Sequence, residues 1–419
     1  MDKFGYILAI DQGTTGTKAL LLDGSGNILD KTSQEITQIY PKPGWIEHDP
    51  MELFQSCLNV VRKLLDKTGI SPKQILAIGI ANQRETTVIW DRVTGEPVSN
   101  AIVWQCRRSA DICEAIKSSG SEENIRNKSG LPIDPYFSAT KIRWLLDNIP
   151  SGQYRAENGE LLFGTVDTWL IWKLTGHVVH ATDVTNASRT MLYNIDELKW
   201  DKDLLNILNI PSVLLPEVKP SSHIFGYTLA DQFEDQEIPI AGVAGDQHAS
   251  LFGQACFGPG MVKNTYGTGC FVLANTGEKR IFSGPDLIST IAWGIGDQVT
   301  YALEGSVFSA GSAVQWLRDG LGIIDSTDML EILVESVDDN GGVYFVPAFS
   351  GLGSPHWDPE ARGTIVGLTR GSSAAHLARA ALEATAYQTR DVIGAIEFGT
   401  PFDVDILRVD GGGSRSRFM

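Results

Sequence analysis

Asp11, Thr14, Thr15, Thr17 and Lys18 fall close together between the apolar runs Ile7–Ile10 and Ala19–Leu22. Gly13 and Gly16 in the intervening turn let backbone N–H groups approach oxyanions with no Cβ in the way. The threonines add hydroxyl donors and Lys18 adds a cation. Asp11, at a strand end, is a carboxylate able to hold Mg²⁺ through water, the coordination style magnesium prefers. The chemistry these residues could do together is to hold a nucleoside triphosphate with its magnesium. The same residues also suit an ordinary hairpin turn rich in Gly and Thr. The segment is not a G-x-x-x-x-G-K-[ST] loop, because Lys18 comes too late. Alone it leaves both readings open.

Other chemistry-bearing residues lie at the ends of strand-like runs. Ile75–Ala81 is a continuous apolar run, as in a strand covered on both faces. Arg84 and Glu85 follow it, on the usual ligand side of an open α/β sheet. Ile238–Ala244 reads as a strand running into Gly245, Asp246 and Gln247, with a helix expected to about Gln254. Asp246 there is either a helix N-cap or a general base. Residues 261–274 repeat the opening design of strand, Gly/Thr turn and strand, with Thr268 in the turn and Phe271 beyond it. Trp104 is followed by polar residues, and Tyr136 lies in Asp134-Pro-Tyr-Phe-Ser138. Both aromatics and Phe271 suit a ligand wall or core packing. Gly311 sits in Ser306–Trp316, which reads as a helical run, where the missing side chain serves either tight packing or approach of a ligand.

The scaffold is that of a soluble α/β protein. Asp49 is a candidate N-cap with Pro50 in the first turn and Glu52 completing an Asp-x-x-Glu box. Met51, Phe54, Leu58, Val61 and Leu65 then recur at helical spacing, and Gly69 ends the run. Residues 216–226 and 347–359, rich in Ser, Gly and Pro, read as surface loops. Residues 404–413 read as a strand entering the turn Gly411–Gly413. The chain of 419 residues is long enough for two or three domains, and its net charge of −17 argues against a nucleic-acid partner. The five cysteines show no metal-ligand spacing and read as reduced thiols. No long apolar stretch marks a membrane span, so the chain reads as soluble and cytoplasmic. His48, His177, His180, His223 and His356 are scattered, and most read as surface or loop residues.

Taken in order, Asp11-Gln-Gly-Thr-Thr, Asn82-Gln-Arg-Glu-Thr-Thr87, Trp104-Gln-Cys-Arg-Arg108, Gly245-Asp-Gln247 and Asn264-Thr-Tyr-Gly-Thr-Gly-Cys270 resemble the FGGY carbohydrate kinases. Two longer stretches match the signature regions of that family, Tyr136–Asn148 and Gly363–Leu368 continuing through His376 to Glu383. Residues 82–87 and 104–108, with Phe163–Trp172 and Thr185–Thr190, resemble the members that act on glycerol more than those that act on pentuloses or hexuloses. The resemblance implies an α/β fold of two actin-like (ribonuclease H-like) domains with a catalytic cleft between them. Residues 1–250 would form the glycerol and phosphate side, and residues 251–419 the nucleotide side.

The activity implied is ATP-dependent phosphorylation of glycerol to sn-glycerol 3-phosphate. Asp246 would be the general base, and Arg84, Glu85, Tyr136, Asp246 and Gln247 would bond the glycerol hydroxyls, with Trp104 and Phe271 as an apolar wall. Asp11 would hold Mg²⁺. Thr14, Thr15, Lys18 and Thr268 would hold the phosphates of ATP, and Gly311, Gln315 and Gly412 would line the adenosine pocket. A homodimer or homotetramer stays open.

Three departures stand out. Lys18 replaces the Arg frequent in the family, keeping charge without the bidentate fork. Ser416 stands where the family usually has an Asn facing adenine. The family continues beyond residue 419, so the second domain is expected to be incomplete. Two alternatives therefore remain, a truncated non-catalytic polyol-binding protein and a kinase of another polyol or ketose. Residues 226–240 lack both a Gly/Arg-rich effector loop and a regulatory His, which argues against those two modes of control.

Overall fold

A computed structural model describes residues 5–282 and 284–419. The chain divides into two compact units, Met1–Ala249 with Thr290–Thr300, and Ser250–Ser289 with Tyr301–Met419.

In the first unit, a mixed sheet runs in the order Ser222–Tyr227, Pro239–Gly245, Ile75–Asn82, β1 (Tyr6–Gln12), β2 (Gly16–Leu22) and β3 (Ile28–Glu35). The strands Pro239–Gly245, Ile75–Asn82 and β1 are parallel, and their register places Gln12 and Gly245 opposite Asn82. Their carboxyl ends therefore coincide. The residues that follow (Gly13, then Gln83 to Glu85, then Asp246) leave the sheet along one edge, although the chain separates them widely.

Helix α1 (Pro50–Thr68) packs on the sheet through Leu53, Cys57, Val60, Val61 and Leu64. Asp49 caps it by accepting from the Met51 N–H, and Gly69 closes it in the left-handed region at φ 68. Glu52 does not close the expected box. Its carboxylate instead accepts from the Thr37 N–H and hydroxyl, both at 3.0 Å, tying α1 to the chain beyond β3.

In the second unit, Val262–Tyr266 and Cys270–Gly277 form the expected hairpin, with Tyr266 opposite Cys270. Leu407–Asp410 lies parallel to the first of these strands, with Asp410 opposite Thr265. Tyr301–Val307, the part of the strand Gln298–Val307 in this unit, lies antiparallel to the second. The helix Ala374–Gly399, with a Ser373/His376 capping box, joins Val392 and Ile396 to Val262, Val272 and Leu303 in the core.

Four further expectations need correction. Ser306–Trp316 is not one helical run, because the strand Gln298–Val307 enters it and a helix begins only at Gly311. Residues 216–226 are not a loop throughout, since Glu217–Lys219 and Ser222–Tyr227 are strands. Thr17 does not face the phosphate turn, but is buried and hydrogen-bonded to Ser56 at 2.6 Å. His48 is not a surface residue, because it is 1% exposed and shares hydrogen bonds with Gln38 and Gln83. Among the described residues no helix is long and apolar enough to cross a membrane.

Candidate active site

The turn between β1 and β2 is closed by the Gly13 N–H donating to the Gly16 carbonyl at 3.0 Å. Asp11 and Lys18 stand opposite each other in the register, and their side chains lie 3.7 Å apart, partly exposed. Burial raises the Asp11 pKa, Lys18 opposes that rise, and the charge of Asp246 adds to it. The field of Asp246 thus reaches Asp11. Two carboxylates and one cation share the edge where the parallel strands end.

Thr14 is held from two sides. Its hydroxyl accepts from Trp104 Nε1 at 2.9 Å, and its carbonyl accepts from Gln38 Nε2 at 2.8 Å. Gln38 is bonded to His48, and His48 to Gln83, whose amide donates to Gln12 Oε1 at 3.0 Å. Burial lowers the His48 pKa to about 4, so the ring is neutral at pH 7 and serves as a fixed link in this chain. Thr15 and Lys18 are exposed.

Arg84, Glu85, Tyr136, Asp246 and Gln247 converge. Arg84 Nε lies 3.4 Å from Asp246 Oδ1 and 3.8 Å from Glu85 Oε1, and its Nη2 donates to the Tyr136 hydroxyl at 3.2 Å. Gln247 donates to Asp246 through its backbone at 2.8 Å and its side chain at 3.0 Å. Asp246 begins the helix Asp246–Gly253. The guanidinium and the Gln247 amide hold its side chain, which remains 34% exposed while Arg84 is 2% exposed. The Trp104 ring meets Tyr136 edge-on at 5.6 Å, so these two aromatics form one wall.

Gly245 makes the arrangement sterically possible. A Cβ there would lie 2.6 Å from Arg84 Cγ and 3.0 Å from His248 Nδ1. Any side chain would push the guanidinium stem away from Asp246.

Arg189 belongs to the same cluster and was not singled out from the sequence. It is 0% exposed, its Nε lies 2.6 Å from Glu85 Oε1, and its guanidinium covers Tyr136 and Phe137 at 5.4 and 5.3 Å. Only the likeness of Thr185–Thr190 to glycerol-acting relatives drew attention to its neighbourhood. Arg107 and Arg108 are structural, since Arg107 pairs with Asp134 at 2.8 Å and Arg108 with Glu47 at 2.7 Å.

A buried polar network lies behind the strand ends. Asn82 donates to Asn186 at 2.9 Å and to Asp167 at 3.5 Å. Asp167 also accepts from Thr165 at 2.5 Å and Thr182 at 2.7 Å. Asp183 accepts from Thr185, Asn186 and Ser221, and the Thr185 hydroxyl accepts from the Gly245 N–H at 2.9 Å. Burial, and then the charge of Asp183, raise the Asp167 pKa from 3.8 to about 7.

The folded protein therefore holds a proton that the unfolded chain has released across this range. The Asp167 contribution to stability falls as pH rises from about 4 to about 7 and is level above that. Asp167→Asn mimics the protonated carboxyl. Its melting temperature relative to wild type is expected to climb across that window, as thermal unfolding at several pH values would show. A difference independent of pH would place the Asp167 pKa near its ordinary value.

In the second unit, Tyr266, Gly267, Thr268, Gly311, Gln315, Arg318, Glu331, Gly412, Arg415 and Ser416 line part of a cavity of about 520 Å³. Thr268, Gly311, Gln315 and Gly412 are therefore brought together. Gly311 donates to the Gly267 carbonyl at 3.0 Å, and a Cβ on it would lie 2.5 Å from that oxygen. Close backbone packing thus accounts for Gly311 on its own. Gly412 differs, because a Cβ there would meet nothing within 4 Å and so would take up open space in the cavity. Gly411 carries the turn at φ 85, with no room for a Cβ beside the Tyr266 carbonyl. Phe271 is 9% exposed on the strand Cys270–Gly277, opposite Ser306 and Thr265.

Comparison with known proteins gives this geometry its relatives. Residues 6–253 match the N-terminal domain of the FGGY family of carbohydrate kinases, and residues 262–419 match its C-terminal domain. The chain is 58% identical over 414 residues to "Glycerol kinase 2" of Thermotoga maritima, an alignment covering 99% of this chain and 83% of the relative. It is 59% identical over 407 residues to a glycerol kinase of Carboxydothermus hydrogenoformans, covering 97% and 81%. Its structure superposes on Plasmodium falciparum glycerol kinase with ADP at a TM-score of 0.89 and 38% identity, covering 99% and 83%. Two domain matches in order, together with relatives that extend along nearly all of the sequence, show that the chain belongs to the FGGY family of carbohydrate kinases.

Proposed function

We propose that this chain transfers the γ-phosphoryl group of ATP to a primary hydroxyl of glycerol, giving sn-glycerol 3-phosphate and ADP. The observation that carries the reading is the group around Asp246. A partly exposed carboxylate is anchored by the Arg84 guanidinium and the Gln247 amide, next to a second carboxylate and the Tyr136 hydroxyl. Such a set offers acceptors and donors to each hydroxyl of a small polyol. Analogues lacking a hydroxyl leave these buried groups unpaired and are rejected. Likeness to glycerol kinases at 58% identity supports glycerol as that polyol.

In this reading Asp246 accepts the hydroxyl proton while the new O–P bond forms. The bond from the γ-phosphorus to the bridging oxygen breaks, and its electron pair leaves with ADP. Arg84 keeps the Asp246 side chain pointed. Little covalent work is needed, since phosphoryl transfer depends chiefly on position and charge. Thr14, Thr15 and Lys18 contact phosphate oxygens, with Thr14 steadied by Trp104 and Gln38. In the second unit, Thr268 takes a phosphate while Gly311, Gln315 and Gly412 line the nucleoside cavity.

Mg²⁺ fits Asp11. That carboxylate is partly exposed, and the charge of Asp246 nearby is relieved by a cation. When bound, the ion supplies neutralisation of the phosphate oxygens.

The test is ADP release by the purified chain with Mg-ATP and glycerol, beside erythritol, ribulose and xylulose. Release stimulated chiefly by glycerol is expected. Release stimulated by a ketose instead would reassign the substrate. No release from folded protein that still binds glycerol would mark a polyol-binding protein without kinase activity.

A further inference from the structure

Lys141 is 0% exposed, and the proposed chemistry does not use it. It lies in the first turn of the helix Ser138–Asn148. Helical side chains lean toward the N-terminus, so its ammonium reaches back to the chain before the helix. There it donates to the Glu85 carbonyl at 3.1 Å and to the Tyr136 carbonyl. The Ser138 and Thr87 hydroxyls donate to the same Glu85 carbonyl, each at 3.1 Å. Glu85 has φ 58, a backbone region that residues with a Cβ rarely adopt, so its conformation must be imposed by its surroundings.

Burying an ammonium costs stability, and the first turn of a helix is the end where the macrodipole disfavours a cation. Burial lowers the Lys141 pKa to about 8. A Leu or Met would fill this volume without either cost, so volume does not account for the lysine. What the ammonium does that an apolar side chain cannot is hold two carbonyl groups at once. Those two belong to Glu85 and Tyr136, residues whose side chains meet around Arg84 and Arg189.

We propose that Lys141, with Ser138 and Thr87, clamps the backbones of Glu85 and Tyr136 and thereby sets the spacing of the polyol-binding groups. Lys141 is a positioning residue for selecting the polyol. The proposal rests on the glycerol reading above. It adds that substrate fit is set from beneath, by a cation that touches no substrate atom.

The test compares wild type, Lys141→Met and Ser138→Ala in steady-state kinetics with glycerol and erythritol, with thermal unfolding in parallel. Lys141→Met is expected to raise KM for glycerol about tenfold or more, change kcat less than about threefold and leave KM for ATP unchanged. Its preference for glycerol over erythritol should also shrink. Ser138→Ala, which removes one donor from the same carbonyl, should move KM for glycerol in the same direction by a smaller factor. It decides the matter if Lys141→Met does not fold. A folded Lys141→Met with wild-type KM and selectivity would overturn the proposal while leaving the glycerol reading intact. So would equal loss in both substrates' parameters, since that marks a purely structural role. Wild-type protein that neither binds nor phosphorylates glycerol would overturn both.

Discussion

Asp246→Asn is expected to lower kcat for glycerol phosphorylation by about 10²- to 10⁴-fold, the range over which a positioned general base contributes. KM for glycerol should change only a few-fold. The amide is nearly isosteric with the carboxylate, and an oxygen in the Oδ1 position still faces Arg84 and accepts from the Gln247 backbone N–H. What it cannot do is take the hydroxyl proton. Asp246 differs in this from Glu85, whose carboxylate is buried and paired with Arg189 at 2.6 Å. Pre-steady-state measurement of ADP formation, with glycerol binding followed by calorimetry, separates the chemical step from binding. A variant that binds glycerol and turns over at the wild-type rate would remove Asp246 as the base.

Arg189→Met is the second change with a large expected effect, and it acts on both stability and binding. The substitution keeps apolar volume against Tyr136 and Phe137 but leaves the 2%-exposed Glu85 carboxylate with Arg84 Nε at 3.8 Å. Removing one partner of a buried ion pair typically costs about 3–5 kcal/mol, because the remaining charge stays desolvated. In a unit of this size each kcal/mol lowers the melting temperature by about 2–4 °C, so a drop of roughly 10 °C is expected. KM for glycerol should rise with it. Adding Glu85→Gln should recover much of the stability, since no orphaned charge remains, but not the affinity. A single variant that melts with wild type would show that Glu85 does not depend on Arg189 for its stability.

Where the sequence was legible, the signals were local. The hairpin turns at Gly13–Thr15 and Gly267–Gly269 announced themselves by glycines and threonines between apolar runs. The strand Ile75–Asn82 and helix α1 were written in periodicity and caps, and Arg84, Glu85 and Asp246 stood at strand ends. What stayed hidden depended on distant partners. Arg189 matters because of Glu85, 104 residues earlier, and no spacing rule connects them. His48 read as an isolated histidine because its ring is fixed by Gln38 and Gln83, on other segments. Lys141 sits where a helix would ordinarily expose a cation, and only the fold brings it under two carbonyl groups. Gly311 reads as helix interior because nothing around Ser306 and Val307 signals that a strand ends there before the chain turns into a helix at Gly311.

Transfer of the γ-phosphoryl group of ATP onto glycerol by this chain is tested by identifying the product. Purified protein would be incubated with Mg-ATP and glycerol and followed by ³¹P NMR. Loss of the γ-phosphorus signal is expected, matched by equal growth of ADP and of a phosphomonoester on a primary carbon of glycerol. ADP accompanied only by inorganic phosphate, or no glycerol-dependent change from folded protein, would contradict it.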